Sequence, residues 1–447
     1  MKIFKIALVA GLALAFTSCD FYDLDEASPN NALGIQDAFV DLASARGARA
    51  GLYNELQFNG DADLFDGWIA SWQYFSDECD WAGTFPTREE FDLFSVSPSN
   101  GTLGAFYTEF YQIVNTANTL IDGVESISGD EALTPERRAS LIAEGRFARA
   151  LAYYYLTMGW QDVPLVLTPT TSTGEELFVT PTAQSLIFDQ IEADLAAGSD
   201  LIAGETLGMN TAAANALLAR VRLHRGDIAG AQSAGLAALG GPNFDLTIFP
   251  YLQDVLFDIE FSSTDGNSLA FFFFPSSLNG RYSIRPSSDL IAAYEPGDTR
   301  LDLSIATLAD GTPYGIKYDD NKAAGGSQDD PILIVRHAEM VLTVGETFAR
   351  QGDFTTAQMW LNQVRQRAGL SDITDMDASN FEDIFLQERY VELAMEAGHR
   401  LWDLRRTGRA LDQFGSAGYE ACDALWPFPQ AEIDRNPNLV QNAACIQ

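Results

Sequence analysis

Glu388, Glu392 and Glu396 stand at i, i+4 and i+8, a spacing that lines one face of a helix with carboxylates. Two carboxyl groups so placed could serve a glycosidase as acid and base. Arg389, Arg400, Arg405 and Arg406 crowd the same stretch, and nearby guanidinium groups keep carboxylates ionised. The favoured reading is therefore an ion-pair network that braces the last helices. With 63 acidic residues in the chain, chance carboxylate pairs are expected, so pairing alone does not argue for hydrolysis. Asn59-Gly-Asp61-Ala-Asp63 has the opening of a calcium loop, but Leu64 stands where such a loop needs Gly and Ala70 where it needs an acid. It is read as a solvated acidic loop. His224, His337 and His399 lie far apart and no CxxC occurs, which speaks against zinc. GxSxG, HExxH and phosphate-cradling glycine motifs are also missing. No catalytic residue, metal or cofactor is expected.

A different chemistry is written in the aromatic residues. Residues 60–92 hold Trp68, Trp72, Tyr74 and Trp81 beside Asp77, Glu78 and Asp80, so three of the seven tryptophans fall in one short segment. Sugars stack their C–H faces on such rings while carboxylates and amides take the hydroxyls. Trp68 and Trp72, four residues apart, would equally suit the buried face of a helix. The candidate ligand-binding set is therefore led by Trp81 and Asp80, followed by Trp72, Trp68 and Asp77. Arg281, Tyr282, Tyr314 and Tyr318 in the glycine-rich middle of the chain are candidates for a second wall.

These residues must be held by something, and helical periodicity supplies it. Residues 211–239 read as two helices around a tight turn, with Leu217, Leu218 and Val221 on one face of the first and Ala231, Ala234 and Ala238 spaced along the second. The plan returns at 336–367. Gly226-Asp227-x-x-x-Ala231 and Gly352-Asp353-x-x-x-Ala357 superimpose, with Gly suited to close the first helix and Asp to cap the second. Such units resemble tetratricopeptide helix pairs, separated by large insertions. Further helices are expected at 36–56, 105–125, 144–156, 185–195 and 381–396. Residues 57–104, 241–330 and 413–447 read as loops with short strands. Within them Ser268–Phe274, an unbroken apolar run, is expected to be a strand buried on both faces, its phenylalanines in the core.

The chain is rich enough in apolar residues, 47% of 447, to exclude disorder. Its 27 basic and 63 acidic residues give −36, which makes nucleic acid a poor partner, disfavours anionic lipid and polyanionic ligands for the same reason and favours a neutral ligand. Lys2 and Lys5 precede an 11-residue apolar run, Ile6 to Phe16, that matches a secretory signal and is too short to span a bilayer. The run leads into Thr17-Ser18-Cys19, which resembles a lipobox whose cysteine becomes the acylated first residue, palmitate included. The alternative is a plain secretory signal with an incidental cysteine. Lipidation at Cys19 would anchor the protein to a membrane without spanning it, through an acidic tether at 19–35. Of the other cysteines, Cys422 and Cys445 bracket a Pro- and Asn-rich tail and are expected to form a disulfide, leaving Cys79 free, with mispairing to Cys79 the rival.

Several motifs in one order carry a family resemblance. They are Glu144-Gly-Arg-Phe-Ala-Arg-Ala-Leu-Ala-Tyr-Tyr-Tyr155 with Gly159-Trp-Gln-Asp-Val-Pro164, Asn362-Gln-Val-Arg-Gln-Arg-Ala-Gly369, Glu388–Glu396 leading into Arg400-Leu-Trp-Asp-Leu-Arg-Arg-Thr-Gly408, and Trp426-Pro-Phe-Pro-Gln-Ala-Glu-Ile-Asp-Arg-Asn-Pro-Asn-Leu-Val-Gln-Asn442. Together with the lipobox they resemble the SusD/RagB family of outer-membrane nutrient-binding lipoproteins over almost the whole mature chain. The resemblance implies a mostly α fold, with tetratricopeptide-like helix pairs as scaffold and inserted loops carrying the ligand site. It also implies a SusC-like TonB-dependent β-barrel transporter as partner, to which an oligosaccharide is delivered at the cell surface. The expected organisation is a lipoprotein signal peptide at 1–18, the tether at 19–35 and one SusD-like α domain at 36–447. In that domain helix pairs occupy about 140–240 and 336–408, ligand-binding loops about 57–104 and 241–330, and the tail 413–447. A secreted glycoside hydrolase and a ligand-free tetratricopeptide scaffold are the competing readings.

Overall fold

The computed structural model describes residues 38–442 apart from 58–63, 172–173, 175–176 and 321. The signal segment, Cys19, Cys445 and the Asn59–Asp63 loop lie outside the described residues. The fold is mostly α, as expected. The scaffold helices are α1 (Leu42–Gln57), α2 (Leu64–Tyr74), α3 (Pro86–Asp92), α4 (Gly101–Ser126), α5 (Pro135–Trp160), α6 (Gln184–Leu195), α7 (Thr211–Arg225) and α8 (Ile228–Ala238). After a long insertion come α9 (His337–Arg350), α10 (Phe354–Arg367), α11 (Phe381–Glu392) and α12 (His399–Arg406).

Each helix packs on its successor through most of this list: α4 on α5, α5 on α6, α6 on α7, α7 on α8, and α9 on α10. The joint across the insertion is α8 against α9. The helix-pair array broken in sequence at residue 240 is thus continuous in space. Local chemistry sets its turns. Gly226 takes φ +83° and Gly352 φ +86°, a left-handed conformation that costs glycine little. Asp227 accepts from the Gly230 amide and Asp353 from the Thr356 amide, capping the second helix of each pair. At the α8–α9 joint a Cβ on Gly235 would sit 2.7 Å from Val344 Cγ2, so the small residue sets how closely these helices approach.

Among the described residues, four two-stranded antiparallel sheets decorate the scaffold: β1 (Cys79–Trp81) with β5 (Ile284–Pro286), β2 (Val163–Pro164) with β3 (Pro181–Thr182), β4 (Val255–Ile259) with β8 (Ile332–Arg336), and β6 (Ile305–Thr307) with β7 (Pro313–Gly315). Two expectations are corrected. Leu269–Phe273 is a short helix, not a strand, and only Phe273 and Phe274 of its phenylalanines are buried. The carbonyls of Phe271 and Phe272 instead receive the amides of Arg281 and Ser283. The segment 57–104 is likewise largely helical, through α2, α3 and the start of α4.

The three glutamates do form a buried network, but their partners come from elsewhere. Arg300 binds Glu388 at 2.7 Å and Glu392 at 3.1 Å, Arg365 binds Glu388, and Arg367 binds Glu392. Arg336 reaches Asp254, Glu392 and Glu396 at 2.8, 3.0 and 2.7 Å, and Lys317 binds Glu396 at 2.7 Å. Arg300 and Lys317 belong to the insertion, so the network ties it to the scaffold. The adjacent arginines serve other carboxylates: Arg389 pairs with Asp403, Arg406 with Glu346 and Asp403, and Arg400 with Asp77, while Arg405 donates to the Met158 carbonyl. The helix expected over 381–396 stops at Glu392 because Lys317 and Arg336 take the carbonyls of Glu392 and Ala394, which a continuing helix would need.

Candidate functional site

β1 leaves α2 through a rigid anchor. Asp77 makes a bidentate pair with Arg400 at 2.8 and 2.7 Å and accepts from Gln413 at 2.9 Å, while its carbonyl accepts from Tyr390 Oη and Ser287 Oγ. The carboxylate is thus spent on holding the strand. The following Glu78 is buried, and burial together with the charge of Asp77 pushes its carboxyl well above the usual range.

From this anchor β1 pairs with β5 in the register Cys79↔Pro286, Asp80↔Arg285 and Trp81↔Ile284, extended by the Ala82 amide donating to the Ser283 carbonyl at 2.8 Å. Alternation along the strands does the rest. Cys79 and Ile284 are buried, whereas Asp80 and Arg285 face outward and are exposed. Trp81 is partly exposed. It packs on Tyr74 at 5.5 Å between ring centres and stacks with Phe85 at 6.3 Å. The chain folds over the indole at Gly83, where any Cβ would strike the ring at 2.2 Å.

The second wall arrives from the insertion. Arg281 lies over the Phe85 ring at 4.4 Å and Arg285 over the Tyr282 ring at 4.5 Å. Tyr282 adopts φ +56°, and its hydroxyl donates to the Pro313 carbonyl at 2.6 Å, locking the ring beside β7. Tyr314, on β7, packs against Phe274 at 5.4 Å and remains partly exposed. Phe85 thus contacts both Trp81 and Arg281, Arg285 covers Tyr282, and Asp80 opposes Arg285 on the outward side of the strand pair; these rings, guanidinium groups and the carboxylate make up the candidate platform. Burial and the neighbouring Asp289 raise the pKa of Asp80, against the pull of Arg285. Behind it, burial lifts Asp92 to about 6 although the Trp81 amide donates to it.

The structure brings together Asp80, Trp81, Arg281 and Tyr282, over 200 residues apart in sequence, with Tyr314 on the neighbouring strand. Trp68 and Trp72 are not among them. Both rings are fully buried, Trp72 stacked on Trp426 at 4.1 Å and Trp68 edge-on to it at 5.1 Å, so neither offers a face to a ligand. The i, i+4 spacing marked the inner stripe of α2. Tyr318 is buried too, and Asp77 supports the site from below. Sequence reasoning missed Phe85 and Arg285. Each is a near neighbour in sequence of a residue already singled out, Phe85 four residues after Trp81 and Arg285 three after Tyr282, and that spacing was the signal available. A separate groove of about 850 Å³, lined by Tyr107, Tyr111, Asn115, Phe178 and Asn436 among others, lies away from this platform. Among the described residues no cluster of three or more His, Cys, Asp or Glu suited to hold a metal ion is present, and no helix is long and apolar enough to cross a membrane.

Comparison with known proteins bears on what such a platform is for. Residues 311–424 match the model of the SusD family, and residues 70–223 match the SusD-like model described as starch-binding, associating with the outer membrane. The SusD-like protein P2 of Formosa agariphila is 24% identical, with 99% of both chains covered. Among solved structures, a SusD superfamily protein from Bacteroides vulgatus superimposes with a TM-score of 0.80 at 20% identity, covering 90% of this chain and 98% of that one. A laminarin binding SusD-like protein gives 0.77 at 21%, covering 91% and 100%. Surface glycan-binding protein A from Bacteroides thetaiotaomicron, in complex with laminarihexaose, gives 0.74 at 19%, covering 90% and 100%. At these identities the structural likeness establishes the shared fold. With two family models matched in order between residues 70 and 424, and likeness to relatives along nearly the whole chain, this protein belongs to the SusD family.

Proposed function

We propose that this protein is a non-catalytic, cell-surface glycan-binding lipoprotein that delivers oligosaccharide to a SusC-like TonB-dependent outer-membrane transporter. The observation that carries the reading is the β1–β5 pairing, which sets Asp80 and Trp81 beside the segment of Arg281 and Tyr282, with Phe85 in contact with both Trp81 and Arg281. Rings stack on sugar faces and the flanking polar groups take hydroxyls. Against a hydrolase, Glu388, Glu392 and Glu396 are all buried and engaged with cations, so none can reach a glycosidic oxygen. The naming of relatives for laminarin and glycan binding supports the same ligand class. Residues 1–18 would be the cleaved signal, Cys19 the acylated anchor in the outer membrane, 19–35 the tether, and 36–447 one binding unit.

The test is a panel of neutral and acidic oligosaccharides, screened by array and followed by calorimetry on the Trp81→Ala and Tyr282→Ala proteins. Binding without product formation, weakened at least tenfold in either variant, is expected. Cleavage of any glycan would overturn the reading, and a folded double variant of undiminished affinity would move the site.

A further inference from the structure

Resting on the proposed glycan platform, we infer that its ligand is an acidic polysaccharide, one whose sugars carry carboxylate or sulfate groups, recognised by Arg281 and Arg285. Arginine in this chain is spent almost entirely on internal carboxylates: exposed Arg46, Arg225 and Arg435 all have an acidic partner within 3.3 Å. Among the described residues, Arg281 and Arg285 are the exposed arginines with no carboxylate at ion-pair distance. Each is instead laid over an aromatic ring at the candidate site. A guanidinium on a ring face is held in place by the ring's quadrupole, and its in-plane N–H groups are the donors it can offer a ligand. Such a preset fork matches the two oxygens of a carboxylate or sulfate.

The groups around the pair bear on how strong this attraction is. Asp80 opposes Arg285 across the strands, and Asp289 lies close enough to Asp80 to raise its pKa. Asp310 acts on Tyr282 in the same way. Arg285 therefore shares its field with Asp80, and Arg281, laid over the Phe85 ring, is the principal anion contact. The overall charge of −36 would repel a polyanion at long range, but it is screened beyond roughly 8 Å at physiological salt. At contact the two forks decide. The acidic residues beside them then set spacing, penalising an anion anywhere but over the guanidiniums.

Calorimetry on the full-length mature protein with polygalacturonate, a sulfated galactan and neutral laminarin separates the possibilities. One acidic polymer should bind at least tenfold more tightly than laminarin, and the polymer that does so identifies carboxylate or sulfate as the recognised group. That affinity should fall as salt is raised from 50 to 500 mM, and the Arg281→Gln, Arg285→Gln protein should lose at least tenfold of it together with the salt dependence. Arg281→Lys, Arg285→Lys should restore part of both, which guards against misfolding as the cause. Laminarin bound as tightly as either acidic polymer, or a double glutamine variant with unchanged preference, overturns the inference while leaving the glycan-binding reading intact. If no glycan of either kind binds, the platform reading itself fails.

Discussion

Replacing Arg336 by Met removes the cation at the centre of the buried network while keeping an unbranched stem of similar volume. Arg336 is fully buried and donates to Asp254, to the side chain and carbonyl of Glu392, and to both carboxylate oxygens of Glu396, five hydrogen bonds of 2.7 to 3.0 Å. Arg367, Arg300 and Lys317 would still face these acids, so no carboxylate is left wholly without a counter-charge. Breaking one partner out of a buried ionic cluster costs about 3–5 kcal/mol, and about 4 is expected here. With an unfolding entropy near 2.1 cal/mol/K per residue over about 400 residues, that corresponds to a melting temperature lower by about 5 °C. The loss should depend on pH. Glu392 is held down to about 2, its burial outweighed by Arg367, Arg336 and Arg300. A carboxyl whose folded pKa lies below its unfolded value stabilises fully above about 4.5 and loses that contribution as pH falls towards 2. Removing Arg336 weakens this depression, so the gap between variant and parent should be widest at pH 6–7 and shrink below pH 4. Glu388, which burial raises in spite of Arg300 and Arg365, acts in the opposite sense and moderates the slope. Scanning calorimetry of both proteins from pH 3 to 7 is the assay. A melting temperature within 1 °C of the parent at pH 7, or a gap that widens in acid, would show that the network contributes little.

Further outcomes concern the scaffold, the cysteines and the anchor. Gly235→Val should destabilise by about 2 kcal/mol in urea unfolding, because the new side chain meets Val344 across the α8–α9 joint; an unchanged midpoint would mean the joint yields freely. Cys79 is buried, and burial with Glu78 pushes its thiol up, so it should resist thiol reagents at pH 8 until the protein is unfolded, and prompt labelling of the native protein would contradict this placement. A Cys422–Cys445 disulfide, closing a 23-residue span, should appear as a linked peptide in non-reduced mass spectrometry and contribute about 3 kcal/mol; both recovered as free thiols would dismiss it. Cys19→Ala should move the protein out of the membrane fraction in the native host, and unchanged fractionation would dismiss lipidation.

The helix pairs were legible in the sequence because their signals are local. A 3.6-residue apolar stripe, a glycine able to take φ above zero and an aspartate that caps the next turn operate within a few residues of one another, as at Gly226-Asp227 and Gly352-Asp353. The motifs from Glu144 to Asn442 likewise lie in uninterrupted stretches, and they pointed to the family before any fold was in hand. The Trp81 segment and the Tyr282 segment were each recognisable as aromatic and polar. That the two segments lie side by side was decided by the β1–β5 register, a long-range pairing that no local spacing encodes. The same holds for Glu388, Glu392 and Glu396: the nearest arginines in sequence looked sufficient, yet the partners are Arg300, Lys317, Arg336, Arg365 and Arg367, delivered by the insertion and by other scaffold elements. Trp68 and Trp72 show the reverse case, where the i, i+4 spacing already held the correct answer and composition alone suggested a ligand. Leu269–Phe273 could be read as a strand because a short apolar run has no periodicity of its own; in the fold it closes one helical turn, with the Phe272 and Phe274 amides donating to the Ser268 and Ala270 carbonyls. Local chemistry thus determined which elements form, and packing across the insertion decided which of their side chains meet.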